Sequence, residues 1–596
     1  MFQQYADENI VDDPTAPPYN PYIVDQIQNY NPIYSRLFDL DESTYNNITL
    51  NHKYYIKDLE TVVDFDTTQK ISKPAFIKFS PLLDPIRYMI GKYSSQTDHI
   101  LLPKPTTSPD IEPIDKLVDP NNAAYTDTFF CFLSSQLLNT HGFIHGVDFY
   151  GTFLGIQSKY KMEVTDDLEY LNTSTFYNNN INKLFSLENA DDSGCSPFSN
   201  YGSRNHKSKL EIGDETAIVT DIFDSHLSVV DLENDDEADG IVHDVSEELG
   251  SALIDVEELE QIYQIDANTA IMQSDTSSVV SDSSCGSSMN YSDDDDAEND
   301  TEEGDSNAQI ADQQNQSDWE TVTDDSADTR DSKEQFILIN DMPVQMICLE
   351  RCEGTLDSLF EENTITCEEG VACLFQVIMI LIAYKQAFDL THNDLHTNNI
   401  MYVHTDRPFL YYRWNKQIYK VPTFGRLYKI IDFGRAIYKF RGKLFCSDSF
   451  ADGGDAATQY NFEPYYNDKK SRVDPNYSFD LTRLGCSIYD FILDEDDDRF
   501  TEDLDDLQKI IMRWCTDDND KNVLYKKSGE ERYHNFKLYK MIARTVHRHD
   551  AESQLEYPEF RKFWLAHFNK RDKREIAENI IDIDAIPCYT AAEGRT

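Results

Sequence analysis

Between Lys209 and Arg330 the chain carries no lysine or arginine and 36 aspartates and glutamates, and any folded structure must be built around that stretch. Like charge at this density, with little apolar surface to bury, cannot offset the entropy of ordering the backbone. Residues 166–335 are therefore predicted to be a disordered acidic insertion, with a transient amphipathic helix at Leu253–Ile265 and serines set among acids as candidate phosphorylation sites. The formal charge of −57 over 596 residues is misleading, because removing those 36 acids leaves −21 on the rest. The acidity belongs mainly to one segment, non-specific nucleic-acid or membrane-surface binding by the whole chain is not expected, and no specific nucleic-acid partner is expected either.

Length alone allows two to four domains. The eleven cysteines show no CxxC pairs and no histidines at ligand spacing, so they read as buried thiols of a reducing compartment. The start, Met1-Phe2-Gln3-Gln4-Tyr5-Ala6-Asp7-Glu8, has no basic or apolar signal, and the apolar run Val371–Ala383 is short for a bilayer and carries Gln376. An intracellular, soluble protein is expected.

The chemistry-bearing stretch is His392-Asn393-Asp394-Leu395-His396-Thr397-Asn398-Asn399. A helical apolar run leads into it and the strand-like Ile400-Met401-Tyr402-Val403 leads out. Downstream, the apolar strand Leu427–Ile431 ends in Asp432-Phe433-Gly434, and Asp480 is followed five residues later by Gly485 in an apolar run. In this order, each attached to its helix or strand, the three landmarks resemble the catalytic loop, metal-binding loop and loop-holding aspartate of the protein kinase superfamily. The resemblance covers residues 50–165 and 335–570. It implies an α+β, bilobal fold, with a small β-rich lobe interrupted by the acidic insertion and a larger helical lobe. It also implies ATP and Mg²⁺ as cofactors. Phosphoryl transfer needs a carboxylate beside the acceptor hydroxyl and oxygen ligands that hold magnesium on the phosphates. In this frame Asp394 is the catalytic base, Asn399 and Asp432 hold the metal, and His396 neutralises phosphate charge.

The chain divides in this frame into a flexible arm or surface-hugging extension (1–48), the first part of the small lobe (49–165), the insertion (166–335), the end of that lobe and a hinge (336–352), the helical lobe (353–570) and a tail (571–596). Tyr54–Ser80 is strand-like, and the resemblance implies that Lys78 grips the α- and β-phosphates, with Lys73 and Lys92 as alternatives. No glycine-rich hairpin precedes it, since Gly91 is the only glycine up to residue 100. Without glycine, backbone N–H groups approach phosphate less closely. Ala123–Leu138 reads as a helix whose only acid, Asp127, is the candidate partner of the lysine, and Phe143–Leu154 as a strand. Phe336–Ile339 and Val344–Glu350 read as strands leading to a hinge at Glu350, Arg351 and Cys352 that would hold adenine by its backbone.

Asp394 and Asp432 are 38 positions apart, a longer separation than is usual in that superfamily, with an extra hairpin expected within Thr405–Leu427. From Arg407 to Lys443 there are ten Lys or Arg and one acid, Asp432. This band is either a solvated face balanced by the domain's own acids or a docking site for the acidic insertion. Position 393 is Asn where regulated protein kinases carry Arg, and position 396 is His where Ser/Thr kinases carry Lys. That form recurs in divergent protein kinases such as haspin and in aminoglycoside- and choline-type kinases. The overall pattern is similar to serine/threonine kinases encoded by large cytoplasmic DNA viruses, which would place the protein in host cytoplasm or virion. The expected activity is transfer of the γ-phosphate to protein Ser/Thr hydroxyls. A small-molecule kinase and an inactive kinase-like scaffold are the alternatives.

Overall fold

The computed structural model describes residues 23–48, 50–93, 101–105, 114–165, 167–188, 335–493, 504–527, 529–534 and 536–592. The charged stretch, the expected helix at Leu253–Ile265 and any docking of that stretch lie outside the described residues. The fold is mixed α+β. In chain order its strands are β1 (Val24–Gln28), β2 (Tyr54–Ile56), β3 (Thr61–Asp64), β4 (Lys70–Ser72), β5 (Ala75–Pro81), β6 (Phe149–Glu163), β7 (Phe185–Leu187) and β8 (Phe336–Glu350). They continue as β9 (Gly354–Thr355), β10 (Ile400–His404), β11 (Phe409–Trp414), β12 (Gln417–Pro422), β13 (Arg426–Ile430), β14 (Ile437–Phe440), β15 (Lys443–Cys446) and β16 (Ile580–Asp582). The helices of nine or more residues are α1 (Ala123–His141), α2 (Cys367–Phe388), α3 (Ser478–Ile492), α4 (Asp506–Trp514), α5 (Lys537–Thr545) and α6 (Lys570–Asn579).

The largest sheet runs β1–β6–β8–β5, with β7 also paired to β8, and every pairing in it is antiparallel. β8 shows how sequence pattern reports covering. Its outer half alternates, with Ile337 and Ile339 inward, while Met342–Leu349 is buried without interruption because both faces are covered there. α1 packs across β6 and β8 and is buried along most of its length. It stops at Gly142, whose φ of +65° is the left-handed closure that a residue without Cβ adopts freely. Two further small antiparallel sheets are β2–β3–β4 and β9–β10–β13.

α2 is the core of the helical part. Thr366 and Glu369 cap its start reciprocally, and Gly370–Tyr384 is continuously buried. At 22 residues it is longer than the apolar run in the sequence and is apolar enough to cross a membrane, yet 89% of its apolar window is buried inside the protein. It is a core helix. The extra hairpin between Thr405 and Leu427 is β11–β12, closed by the two-residue turn Asn415-Lys416 with both φ angles positive.

Four boundaries differ from the sequence reading. Residues 24–28 form the edge strand β1 and Ile33 and Tyr34 are fully buried, so the segment before residue 48 is no free arm in its described part. Its order comes from pairing to β6, a non-local partner that local composition does not reveal. The fold also continues past residue 166, through short helices at Leu168–Thr173 and Thr175–Asn180, to β7 on the edge of β8. The strand expected at Phe143 begins at Phe149, because Phe143–Gly146 is a turn closed by Gly146 N–H to Phe143 O at 2.9 Å. Finally, residues 571–592 are no tail: β16 pairs in parallel with β11, and Tyr589 stacks on Phe388 at 5.6 Å.

Candidate active site

The loop between α2 and β10 is held from beneath by one buried carboxylate. Asp480, in the first turn of α3, accepts the His392 N–H at 2.8 Å and the Asn393 N–H at 2.7 Å. Asn393 takes φ +64°, a conformation Asn tolerates better than most residues. Its amide donates to Thr391 O and to Arg435 O at 3.0 Å, and its Oδ1 accepts from Tyr460 at 2.8 Å. Asn393 is thus a fully bonded buried strut, where an arginine would bring a charge into a dry pocket. His392 Nε2 meets Ile431 O at 2.9 Å and its Nδ1 accepts the Asp394 N–H at 3.3 Å, so the ring ties this loop to the end of β13.

Four chemistry-bearing side chains converge on this framework. Lys78, on β5 opposite Ile347 of β8, places Nζ 2.8 Å from Asp127 Oδ2 and 3.0 Å from Asp432 Oδ1. Burial by itself would lower the Lys78 ammonium, but the carboxylates of Asp127 and Asp432 outweigh it and raise it above its ordinary value. Asp127 spends its other oxygen on the Phe433 N–H at 2.8 Å, so one short acid on α1 orients both the lysine and the loop after β13. The Phe433 ring anchors that loop 4.4 Å from Phe130 of α1. Asp432 sits at φ +62°. Burial pushes its carboxyl up, but the Lys78 ammonium brings it below its usual value. Asn399 donates Nδ2 to Asp394 O at 2.9 Å and lies 3.1 Å from His396 Nε2, which leaves its Oδ1 for a cation. Its carbonyl receives the Ile431 N–H at 3.0 Å, placing it beside the residue before Asp432.

Asp394 is held more tightly than the sequence suggests. Its Oδ1 accepts from Tyr539 at 2.9 Å and lies 3.3 Å from an Arg435 nitrogen, while Arg435 also meets Asp455 at 2.6 Å. Burial would raise the carboxyl, but Arg435, His396 and Arg483 hold it well below the usual carboxylate range. It is ionised at neutral pH.

The hinge residues sit at the end of β8. Glu350 turns its carboxylate onto Lys429 at 2.5 Å and the Asp148 N–H at 2.8 Å. The N–H groups of Glu350, Arg351 and Glu353 go to Asp148 O, Pro74 O and Tyr402 O, which leaves the Cys352 N–H as the donor of this stretch with no backbone acceptor among the described residues. Arg351 reaches outward to Glu60, and Cys352 is buried with its thiol pushed up to about 12 by burial. Lys73 is committed to Asp148 at 2.9 Å and Lys92 is exposed, so Lys78 is the lysine brought to the cluster. The turn joining β2 to β3, Lys57–Glu60, has no glycine and is folded onto the start of β5, with Leu59 O accepting from Ala75 N at 2.7 Å.

Six cations of the basic band meet the domain's own acids: Arg413–Asp582, Lys420–Asp572, Arg426–Glu369, Lys429–Glu350, Arg435–Asp394 and Lys439–Asp389. The sequence reading missed Tyr539, Arg435, Arg483 and Asp455. Arg435 directly follows the Asp432-Phe433-Gly434 triplet, and that adjacency was the one signal available. Tyr539 has no sequence signal at all. Among the described residues no group of three or more His, Cys, Asp or Glu has the arrangement of a metal site. No protein-family model matches the chain, and no curated protein matches it.

Proposed function

We propose that this protein is an ATP-dependent phosphotransferase of bilobal, protein-kinase-like fold that phosphorylates hydroxyl groups of protein substrates, serine or threonine foremost. The observation that carries the reading is the meeting of Lys78, Asp394, Asn399 and Asp432, delivered by separate strands and loops, around one small region.

The residues suit ATP and Mg²⁺. Asn399 Oδ1 and the Asp432 carboxylate are two hard oxygen donors that would hold magnesium, with phosphate and water oxygens as its further ligands. The metal supplies neutralisation of the phosphate oxygens. Lys78 carries a secured positive charge for the same purpose, held between two acids that keep it protonated. Asp394 is ionised, so it orients an acceptor hydroxyl by accepting its hydrogen bond; as a weak base it takes the proton late, as the new bond forms. The unglycined turn at Lys57–Glu60 gives little backbone covering to a triphosphate, and this favours a lower nucleotide affinity.

The test is to incubate the purified full chain with Mg²⁺ and γ-labelled ATP and locate the label. Label on the protein itself or on basic test proteins supports the reading. Label on small hydroxyl compounds alone replaces it with a small-molecule kinase, and label nowhere with a scaffold. Asp394→Asn and Asp432→Asn are each expected to cut transfer at least about a hundredfold while leaving the fold intact. Near-normal turnover in either variant overturns the assignment.

A further inference from the structure

Tyr539 lies 145 residues downstream of Asp394 in the chain, yet its hydroxyl makes a 2.9 Å hydrogen bond to Asp394 Oδ1. It belongs to α5, and the ring is nearly buried, stacked on Phe536 at 5.0 Å and packed against Phe479 at 5.7 Å. The direction of this bond is determined by a third residue. Arg483 Nε donates to the Tyr539 oxygen at 2.7 Å, and arginine has no acceptor, so the phenolic proton has one destination, the Asp394 carboxylate. Arg483 lies three residues after Asp480 on α3, one turn along the same face. A single helical turn thus holds the loop backbone through Asp480 and the loop side chain through Arg483 and Tyr539.

We propose that Tyr539 is a positioning residue for Asp394: with Arg435 it occupies Oδ1, so that Oδ2, which carries none of these bonds, is the oxygen presented to the acceptor hydroxyl. The inference rests on the phosphotransferase reading and adds a residue to it. A carboxylate free to rotate would offer either oxygen and lose time in unproductive orientations. One anchored oxygen presents the other in a single geometry, and small errors of placement are costly in transfer reactions. A tyrosine kept only for packing would be satisfied by any acceptor at the end of its ring, so the tests must separate the hydroxyl from the ring and trace its effect through Asp394.

The measurement is steady-state transfer by the full chain, using γ-labelled ATP and whichever acceptor the wild type labels, with Tyr539→Phe as the variant. The expected result is a kcat about tenfold lower, equivalent to about 1.4 kcal/mol, with KM for ATP within about twofold. In the Asp394→Asn background the same substitution is expected to change the residual rate no further, because the group it positions is gone. Arg483→Lys, which keeps a buried cation but removes the Nε donor, is expected to lower kcat in the same direction, and to add nothing to Tyr539→Phe. It serves as the second variant should the first melt too low to assay. Unchanged kcat in Tyr539→Phe overturns the inference. So does a raised rate, which would mean that the phenol stands in the acceptor's place, and so does an equal loss in both backgrounds, which would mean a purely structural role. A wild-type chain that labels nothing overturns the phosphotransferase reading itself, whereas an active wild type matched by Tyr539→Phe overturns this inference alone.

Discussion

Asp480 and His392 are 88 residues apart in sequence and joined by a 2.8 Å hydrogen bond from the His392 backbone to the Asp480 carboxylate, whose other oxygen takes the next N–H, that of Asn393. Both donors are buried. Asp480→Ala is expected to leave two N–H groups unsatisfied at about 1–3 kcal/mol each, and so to destabilise the fold by about 2–6 kcal/mol. Chemical denaturation measures this. A loss under 1 kcal/mol would show that the loop finds other acceptors.

Asp127 divides one carboxylate between the Lys78 ammonium and the Phe433 N–H, at 2.8 Å each. Asp127→Ala strands a buried cation between fewer charges and is expected to cost about 3–5 kcal/mol, read from the same denaturation curves. Asp127→Glu restores the longer acid usual in the resembled superfamily, but α1 is already packed close enough for the short one. It is expected to destabilise by about 1–3 kcal/mol through overpacking, and a stabilised variant would contradict this.

His145 is fully buried, with Nδ1 donating to Tyr428 O and Nε2 accepting from the Tyr412 hydroxyl, both at 2.7 Å. Burial pushes its pKa from about 6.5 down to about 3. Between those values the unfolded chain holds a proton that the folded chain refuses. Its contribution is complete above pH 6.5 and is lost as pH falls through that window, at about 1.4 kcal/mol per pH unit. The stability of His145→Gln should fall less steeply than that of wild type between pH 6 and 4. Parallel curves in the two proteins would remove His145 from the account.

A Cβ on Gly485 would lie 2.9 Å from the Trp514 Cβ, and the indole cannot retreat because its Nε1 donates to Gln554 at 2.8 Å. Overpacking there outweighs the gain in helix propensity of about 1 kcal/mol, so Gly485→Ala is expected to destabilise by about 1–2 kcal/mol. At Gly370 the obstacle is the pair of Leu507 methyls, at 2.7 and 3.2 Å, the movable end of a side chain. Thermal melts should show Gly370→Ala to be the milder change, and the reverse order would refute the packing argument.

The loop His392–Asn399, the Asp432-Phe433-Gly434 turn and the Asp480 helix were legible because a resemblance to a known superfamily singled them out and each is a short motif with a strand or helix of the right period beside it. The hairpin between Thr405 and Leu427 was legible because the spacing from Asp394 to Asp432 is longer than is usual in that superfamily. β1, β7 and β16 were not, since each is a strand of three to five residues ordered by an edge already built elsewhere. Asp127 was found as a candidate only because α1 holds no other acid, and its reach could not be judged without knowing how closely the helix packs.

By itself the sequence determined which acids, amides and lysines stood beside a strand or a helix and where the acidic charge was concentrated, because composition and spacing carry that information locally. Only the tertiary structure decided that Asp394 shares one oxygen, Oδ1, between Arg435 and Tyr539, and that six cations of the basic band pair with acids of the described fold. Those pairings join residues up to about 170 positions apart, and which groups meet depends on how helices and sheet edges pack, a sum over the whole core that no local pattern encodes.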